Sequence, residues 1–92
     1  MPVALLSGLR VLDLGSGISA PWCSKILADY GAEVIKVEPP GIGDASRRMG
    51  PFAGNEPDAE KSLTFLYLNT NKKGVTLDPS VVTGRKIFDR LL

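Results

Sequence analysis

An apolar run that stops on two closely spaced glycines, followed by a helix-length segment and a β-branched run, constrains this chain more than any other feature. Leu9 to Leu14 (Leu-Arg-Val-Leu-Asp-Leu) has the make-up of a buried strand and follows the turn-forming Ser7-Gly8. Gly15-Ser16-Gly17 breaks it, and Pro21 suits the first turn of a helix, where a missing N–H costs little. Trp22, Ile26 and Tyr30 recur at helical spacing with Cys23 and Leu27 beside them. That spacing predicts a buried face, with Lys25 and Asp29 turned to water. Gly31 marks the helix end, and Glu33 to Val37 (Glu-Val-Ile-Lys-Val) reads as a second strand. Two strands joined through a helix lie parallel, since antiparallel neighbours are joined by tight turns. The expectation is therefore adjacent parallel strands at roughly residues 10–14 and 33–37, with a helix from Pro21 to Tyr30 on one face.

Pro39, Pro40, Gly41 and Gly43 then stop regular structure. The stretch from there to Lys61, which carries Arg47-Arg48, is too long for an idle connection and reads as a functional or partner-covered loop. Thr64 to Leu68 suits a short helix or a strand equally. Asn69 to Lys73 reads as a polar turn, and Val75-Thr76-Leu77 as a third strand. Asp78 to Ser80 can cap a last helix whose Ile87, Phe88, Leu91 and Leu92 share a face. Three short strands make a thin sheet for this apolar content. Residues 1–92 are thus expected to be the truncated amino-terminal part of a larger α/β domain rather than a complete small one.

Composition excludes several functions. A net charge of +1 offers no basic field for nucleic acid and no polybasic patch for an anionic membrane. No apolar run approaches the roughly 20 residues of a membrane span, and no secretory signal is legible at the start. One cysteine rules out an internal disulfide and suits a reducing cytoplasm. With no histidine, neither a Ser-His nor a Cys-His nucleophile pair can form within the chain, and no metal site is expected.

Gly15-Ser16-Gly17-Ile18-Ser19-Ala20 fits the dinucleotide pattern G-x-G-x-x-A, and Glu38 stands about 20 residues on, where a ribose-binding acid belongs. Val11 to Gly17 fits the nucleotide-side motif of S-adenosylmethionine methyltransferases equally, although Ser19 stands where those enzymes usually have another glycine. A plain strand-to-helix turn is the third reading, and Pro21 favours it by removing one N–H from the cradle. Cys23 reads as a core residue, and Trp22 and Tyr30 as core or interface aromatics. Asp13, inside a strand, reads as a structural acceptor for nearby N–H groups. The clusters Arg47-Arg48 and Asn71-Lys72-Lys73 read as solvated surface available to a phosphate-bearing ligand.

Three longer segments in fixed order go beyond a glycine pair. Leu6 to Leu14, Ala20-Pro21-Trp22-Cys23, and Leu27 to Pro40 (Leu-Ala-Asp-Tyr-Gly-Ala-Glu-Val-Ile-Lys-Val-Glu-Pro-Pro) together resemble the start of class III CoA-transferases. That family includes formyl-CoA transferase, carnitine CoA-transferase and alpha-methylacyl-CoA racemase. The resemblance runs on through Gly43-Asp44 with Arg47, Asn69 to Gly74, and Leu77-Asp78 with Gly84-Arg85.

This resemblance implies a Rossmann-like parallel βαβ sheet with flanking helices. It also implies a chain several times longer, paired as an interlocked homodimer. The transferases move CoA between carboxylic acids through a downstream aspartate, and the racemase shuttles an α-proton with downstream residues. None of those catalytic positions falls within residues 1–92. By position, the turn at Ile18 and Ser19 is similar to the family segment that meets CoA near its thioester. Leu77, Asp78, Pro79 and Ser80 are similar to the segment near its adenosine end. Acyl-CoA and a small carboxylic acid are the implied ligands, with no metal. Pro39 replaces a common arginine and Ser80 a common lysine, which predicts weaker phosphate contacts from this segment. A methyltransferase built on the glycine turn and a non-catalytic remnant are the alternatives.

Overall fold

The computed structural model describes residues 5–92. Arg10–Asp13 forms β1, Ser19–Asp29 forms α1 and Glu33–Glu38 forms β2, followed by α2 at Leu63–Leu68, β3 at Lys73–Thr76 and α3 at Val82–Leu91. Two short 3₁₀ turns, Ala45–Arg48 and Ala53–Asn55, lie in the long loop after β2. The three strands form one sheet in the order β1-β2-β3, and both pairings are parallel. Val11 stands opposite Val34, Asp13 opposite Lys36, and Val37 opposite Val75. The expected βαβ unit is present, and the α/β architecture is a parallel sheet with flanking helices. No helix among the described residues is long and apolar enough to cross a membrane.

β2 is the central strand, and its four inner residues, Val34 to Val37, are all buried. A parallel strand covered on both faces reads as a continuous apolar run rather than an alternation. Lys36 interrupts that run, and its burial becomes a property of the site. The main cluster joins Val34 to Ala28 and Ala32, with Leu6, Val11 and Leu27 packed against it.

α1 turns a different face inward from the one its large residues suggest. Pro21, Ser24 and Ala28 are buried, whereas Trp22, Ile26 and Tyr30 are 43%, 40% and 45% exposed, and Cys23 is exposed too. The expected Trp22–Ile26–Tyr30 core stripe and the core cysteine are therefore corrected. Two stripes at helical spacing lie side by side on this helix, and the one of small residues lets it sit close to the sheet. A Cβ built on Gly15 would meet the Ala20 Cβ at 2.2 Å, which shows how tight that approach is. The helix also starts at Ser19, ahead of Pro21, which remains within the first turn, where no N–H has an intrahelical partner.

The ambiguous segment is a helix. The Ser62 hydroxyl accepts the Phe65 N–H at 3.1 Å and caps α2. β3 begins at Lys73, two residues before Val75, so Leu77 lies just past its end. Asp78 does not cap α3. Its carboxylate accepts the Ser80 N–H at 2.9 Å in a local turn, and the cap position is Val81, which has no side-chain acceptor. Gly84 lets the first turn of α3 press on that local turn, because a Cβ there would meet the Asp78 carbonyl oxygen at 1.8 Å. Phe88 and Leu91 are half-buried, while Ile87 and Leu92 are exposed.

Candidate functional site

In a parallel sheet every strand ends at the same edge, and ligands of open α/β sheets bind outside those carboxyl ends. Here that edge carries the Leu14–Ile18 turn after β1, the loop after β2 and the Leu77–Ser80 segment after β3. Both expected CoA segments therefore lie on one edge, on either side of β2. Ile18 is the cap position of α1 and offers no side-chain acceptor to the first helical N–H groups. Its side chain lines an apolar cavity of about 300 Å³ with Pro51, Leu63, Thr64, Tyr67 and Leu68. Ser19 opens the helix and is exposed. Leu77 is buried, and its N–H donates to the Glu38 carbonyl at 3.0 Å, prolonging the β2–β3 ladder. Asp78 is half-buried, and Pro79 and Ser80 are exposed. Thr76, just before them, lines a second cavity of about 190 Å³ with Glu38, Gly41, Gly43 and Arg47. Ile18 and Thr76 border separate hollows, which a long ligand would join only by running along the edge.

Beneath that edge lies a buried charge network. Asp13 Oδ1 accepts the Gly15 N–H at 2.9 Å, and its Oδ2 accepts from Ser24 Oγ at 2.7 Å and Lys72 Nζ at 2.9 Å. Lys72 also donates to the Pro21 carbonyl and to Asn69 Oδ1, at 2.9 and 2.8 Å. Lys36 Nζ lies 2.6 Å from Asp44 Oδ2 and 3.7 Å from Asp13 Oδ2. Asp44 Oδ2 takes no hydrogen bond of good geometry, so the Lys36 ammonium is its electrostatic partner. Asp44 Oδ1 accepts from Gly17 N–H at 3.1 Å, Ser46 N–H at 2.7 Å and Ser46 Oγ at 2.6 Å.

The expected structural role of Asp13 is observed. Burial alone would raise its pKa, but the hydrogen bonds from Ser24 and Lys72, with both lysine charges, hold it below the usual carboxylate range. The same opposition acts on Asp44: burial raises it, and Lys36 and Ser46 bring it down to about 2. For Lys72 burial dominates and lowers the ammonium's pKa, against the pull of Asp13. Lys72 is thus not the solvated residue that its polar surroundings in the sequence suggest; its side chain is 1% exposed.

The glycine turn has few free donors left. The Gly15 and Gly17 N–H groups are taken by Asp13 and Asp44, so neither is open to a phosphate. Glu38 is equally committed. Arg47 grips it bidentately, Nε to Oε2 at 2.7 Å and Nη2 to Oε1 at 2.8 Å, and the Asp44 N–H adds a third bond at 2.7 Å. The hydrogen bonds from Arg47 lower the Glu38 pKa. The Arg47 guanidinium also stacks 3.8 Å from the Phe65 ring centroid. Of the Arg47-Arg48 pair, only Arg48 is exposed. Lys36 and the anchoring role of Asp44 escaped the sequence reading. A lysine inside a strand buried on both faces was the available signal, since such a charge requires a partner. Among the described residues, no three or more Cys, Asp and Glu side chains gather as a metal site.

The comparisons with known proteins agree with this architecture. CoA-transferase family III matches residues 6–92. The chain is 41% identical over 91 residues to a succinyl-CoA–D-citramalate CoA-transferase of Chloroflexus aurantiacus, covering 99% of this chain and 22% of that protein. It is 37% identical over 87 residues to a formyl-CoA:oxalate CoA-transferase of Escherichia coli, covering 95% of this chain and 20% of that one. A crystal structure of a CaiB/BaiF family protein from Brucella suis superposes with a TM-score of 0.81 at 35% identity, over 97% of this chain and 23% of that chain. The chain thus spans about a fifth of the length of these relatives. With the family match running almost from end to end, and the superposition covering nearly the whole chain, this chain belongs to CoA-transferase family III.

Proposed function

We propose that this chain supplies part of the acyl-CoA surface of an enzyme that moves CoA between carboxylic acids, or of the related acyl-CoA racemase. The central chemistry falls to residues outside 1–92. The observation that carries this reading is the exposed start of α1, where Ser19 and Ala20 lie at the surface, their N–H groups belong to the helix's unpaired first turn, and Ile18 supplies no side-chain cap. These donors sit beside an apolar hollow and on the same sheet edge as Leu77–Ser80. A thioester carbonyl or pantetheine amide suits such donors, and the hollow suits the methylenes beside it. Acyl-CoA and a small carboxylic acid are the proposed ligands. The full-length protein is proposed to be cytoplasmic and an interlocked homodimer.

The methyltransferase and dinucleotide readings have less support, because the Gly15 and Gly17 N–H groups and the Glu38 carboxylate already have internal partners. Titration of the ¹⁵N-labelled chain with CoA, S-adenosylmethionine and NAD separates the readings. CoA should shift the amides of Ile18, Ser19, Leu77, Asp78 and Ser80. Saturation by S-adenosylmethionine without a CoA response would overturn the proposal.

A further inference from the structure

The exposed turn that faces CoA in this reading is not held by its own residues. Gly17 has a φ of +89°, and a Cβ there would meet nothing within 4 Å, so side-chain packing does not set its conformation. A residue so placed samples many backbone states unless something fixes its peptide. Two hydrogen bonds running in opposite directions do so: Gly17 N–H donates to Asp44 Oδ1 at 3.1 Å, and Ala45 N–H donates back to Ser16 Oγ at 2.9 Å. Asp44 is in turn immobilised from three sides. Its N–H is bonded to Glu38 and its Oδ1 to Ser46, its Oδ2 is ion-paired with Lys36, and the residue is 1% exposed.

We propose that Asp44 is a positioning residue: with Ser16 it forms a two-bond latch that orients the Gly17–Ser19 backbone toward CoA. The proposal rests on the CoA reading above for what the turn meets, but the latch itself is read independently. Asp44 touches no ligand and acts through Gly17. Lys36 neutralises it without competing for Oδ1, which leaves that oxygen to the backbone. The loop after β2 thereby carries information to the turn after β1, and a ligand that orders one orders the other.

Hydrogen exchange of single amides, alongside CoA titration, tests this in the chain and three variants. Lys36→Met with Asp44→Leu removes the Asp44 arm of the latch without leaving a buried charge unpaired. Asp44→Asn keeps an oxygen for the Gly17 and Ser46 N–H groups. Ser16→Ala, at an exposed position, removes only the Ala45 acceptor. In the double variant the Gly17 amide should exchange about tenfold faster and the CoA Kd should rise about tenfold, as the loss of one charge-assisted hydrogen bond implies. Val34 and Ile35 amides should keep their protection, showing the sheet intact. Asp44→Asn should retain both Gly17 protection and CoA affinity within about threefold. A folded double variant with an unchanged Gly17 amide, or a loosened one with unchanged CoA affinity, overturns the proposal. If the double variant does not fold, Ser16→Ala decides, and unchanged Gly17 exchange there overturns it. The two failures separate: a wild-type chain that ignores CoA brings down the ligand reading, while Gly17 exchange, measured without CoA, judges the latch.

Discussion

The ammonium of Lys36 stands 2.6 Å from Oδ2 of Asp44, with the two side chains 3% and 1% exposed. This pair links the middle of the central strand to the loop that follows it. Through Asp44 it reaches the glycine turn at the end of the neighbouring strand. A buried ion pair of this kind adds little net stability over an apolar pair of the same volume, yet losing one partner strands a charge. The asymmetry leads to the first prediction.

Lys36→Ala should lower the unfolding free energy by about 3–5 kcal/mol, because Asp44 loses its one cationic partner among the described residues. Lys73→Ala, whose ion pair with Glu33 is 72% and 38% exposed, should cost no more than about 1 kcal/mol. Urea denaturation of the two variants measures the contrast, and equal costs would contradict the burial argument.

Acid should unfold the chain through its carboxylates. Asp13, Asp44 and Glu38 all have folded-state pKa values below their ordinary ones, Asp44 down to about 2 from 3.8. Each therefore contributes stability that is fully present above its unfolded-state pKa and is lost as the pH falls through the folded one. For Asp44 the contribution at neutral pH is about 2 kcal/mol. The carboxylate contribution should be level above about pH 5 and fall steeply between about pH 4 and 2. A shallower slope over that window in Asp44→Asn would identify the group.

Two glycines should resist alanine and a third should not. Gly15→Ala forces a Cβ onto Ala20, and Gly84→Ala forces one onto the Asp78 carbonyl, so each should cost about 1–3 kcal/mol. Gly74 has open space around its Cβ position, and its alanine variant should stay within about 0.5 kcal/mol of wild type. Thermal melts of the three variants distinguish steric demand from mere glycine content.

Under the proposed CoA reading, adding charge at Pro39 and Ser80, where the resemblance implies an arginine and a lysine, should tighten CoA. Pro39→Arg and Ser80→Lys each add one cation at the carboxyl edge of the sheet, and each should lower the Kd by about three- to tenfold. The gain should fade with added salt, since exposed phosphate contacts are screened. Salt-independent gains would point to a packing effect instead.

The exposed apolar side chains predict self-association. Trp22, Tyr67, Ile87 and Leu92 are 43%, 57%, 48% and 78% exposed, and burying even one large apolar side chain is worth roughly 1.5–3 kcal/mol. Light scattering should report a mass that rises with concentration, and Ile87→Glu with Leu92→Glu should reduce it. A monodisperse monomer at all concentrations would refute this.

The sequence alone was enough to determine the βαβ order, the parallel pairing of its strands and the family. Strand-forming runs and glycine breaks act over a few residues, and a helix between two strands leaves them little choice of direction. The placement of Asp13 as an internal acceptor was legible for the same reason, since a carboxylate within a strand has to find donors nearby. Tertiary structure decided which stripe of α1 faces the sheet, because Pro21-Ser24-Ala28 and Trp22-Ile26-Tyr30 are equally periodic and only the closeness of Gly15 to Ala20 separates them. It also decided the fate of the charges. Lys72 is a polar turn residue until the chain brings it to Asp13, 59 positions away, and Lys36 is a blemish in an apolar strand until Asp44 folds back over it. Periodicity records what each residue does with its near neighbours, whereas a buried charge is stable only through partners that the closed fold supplies.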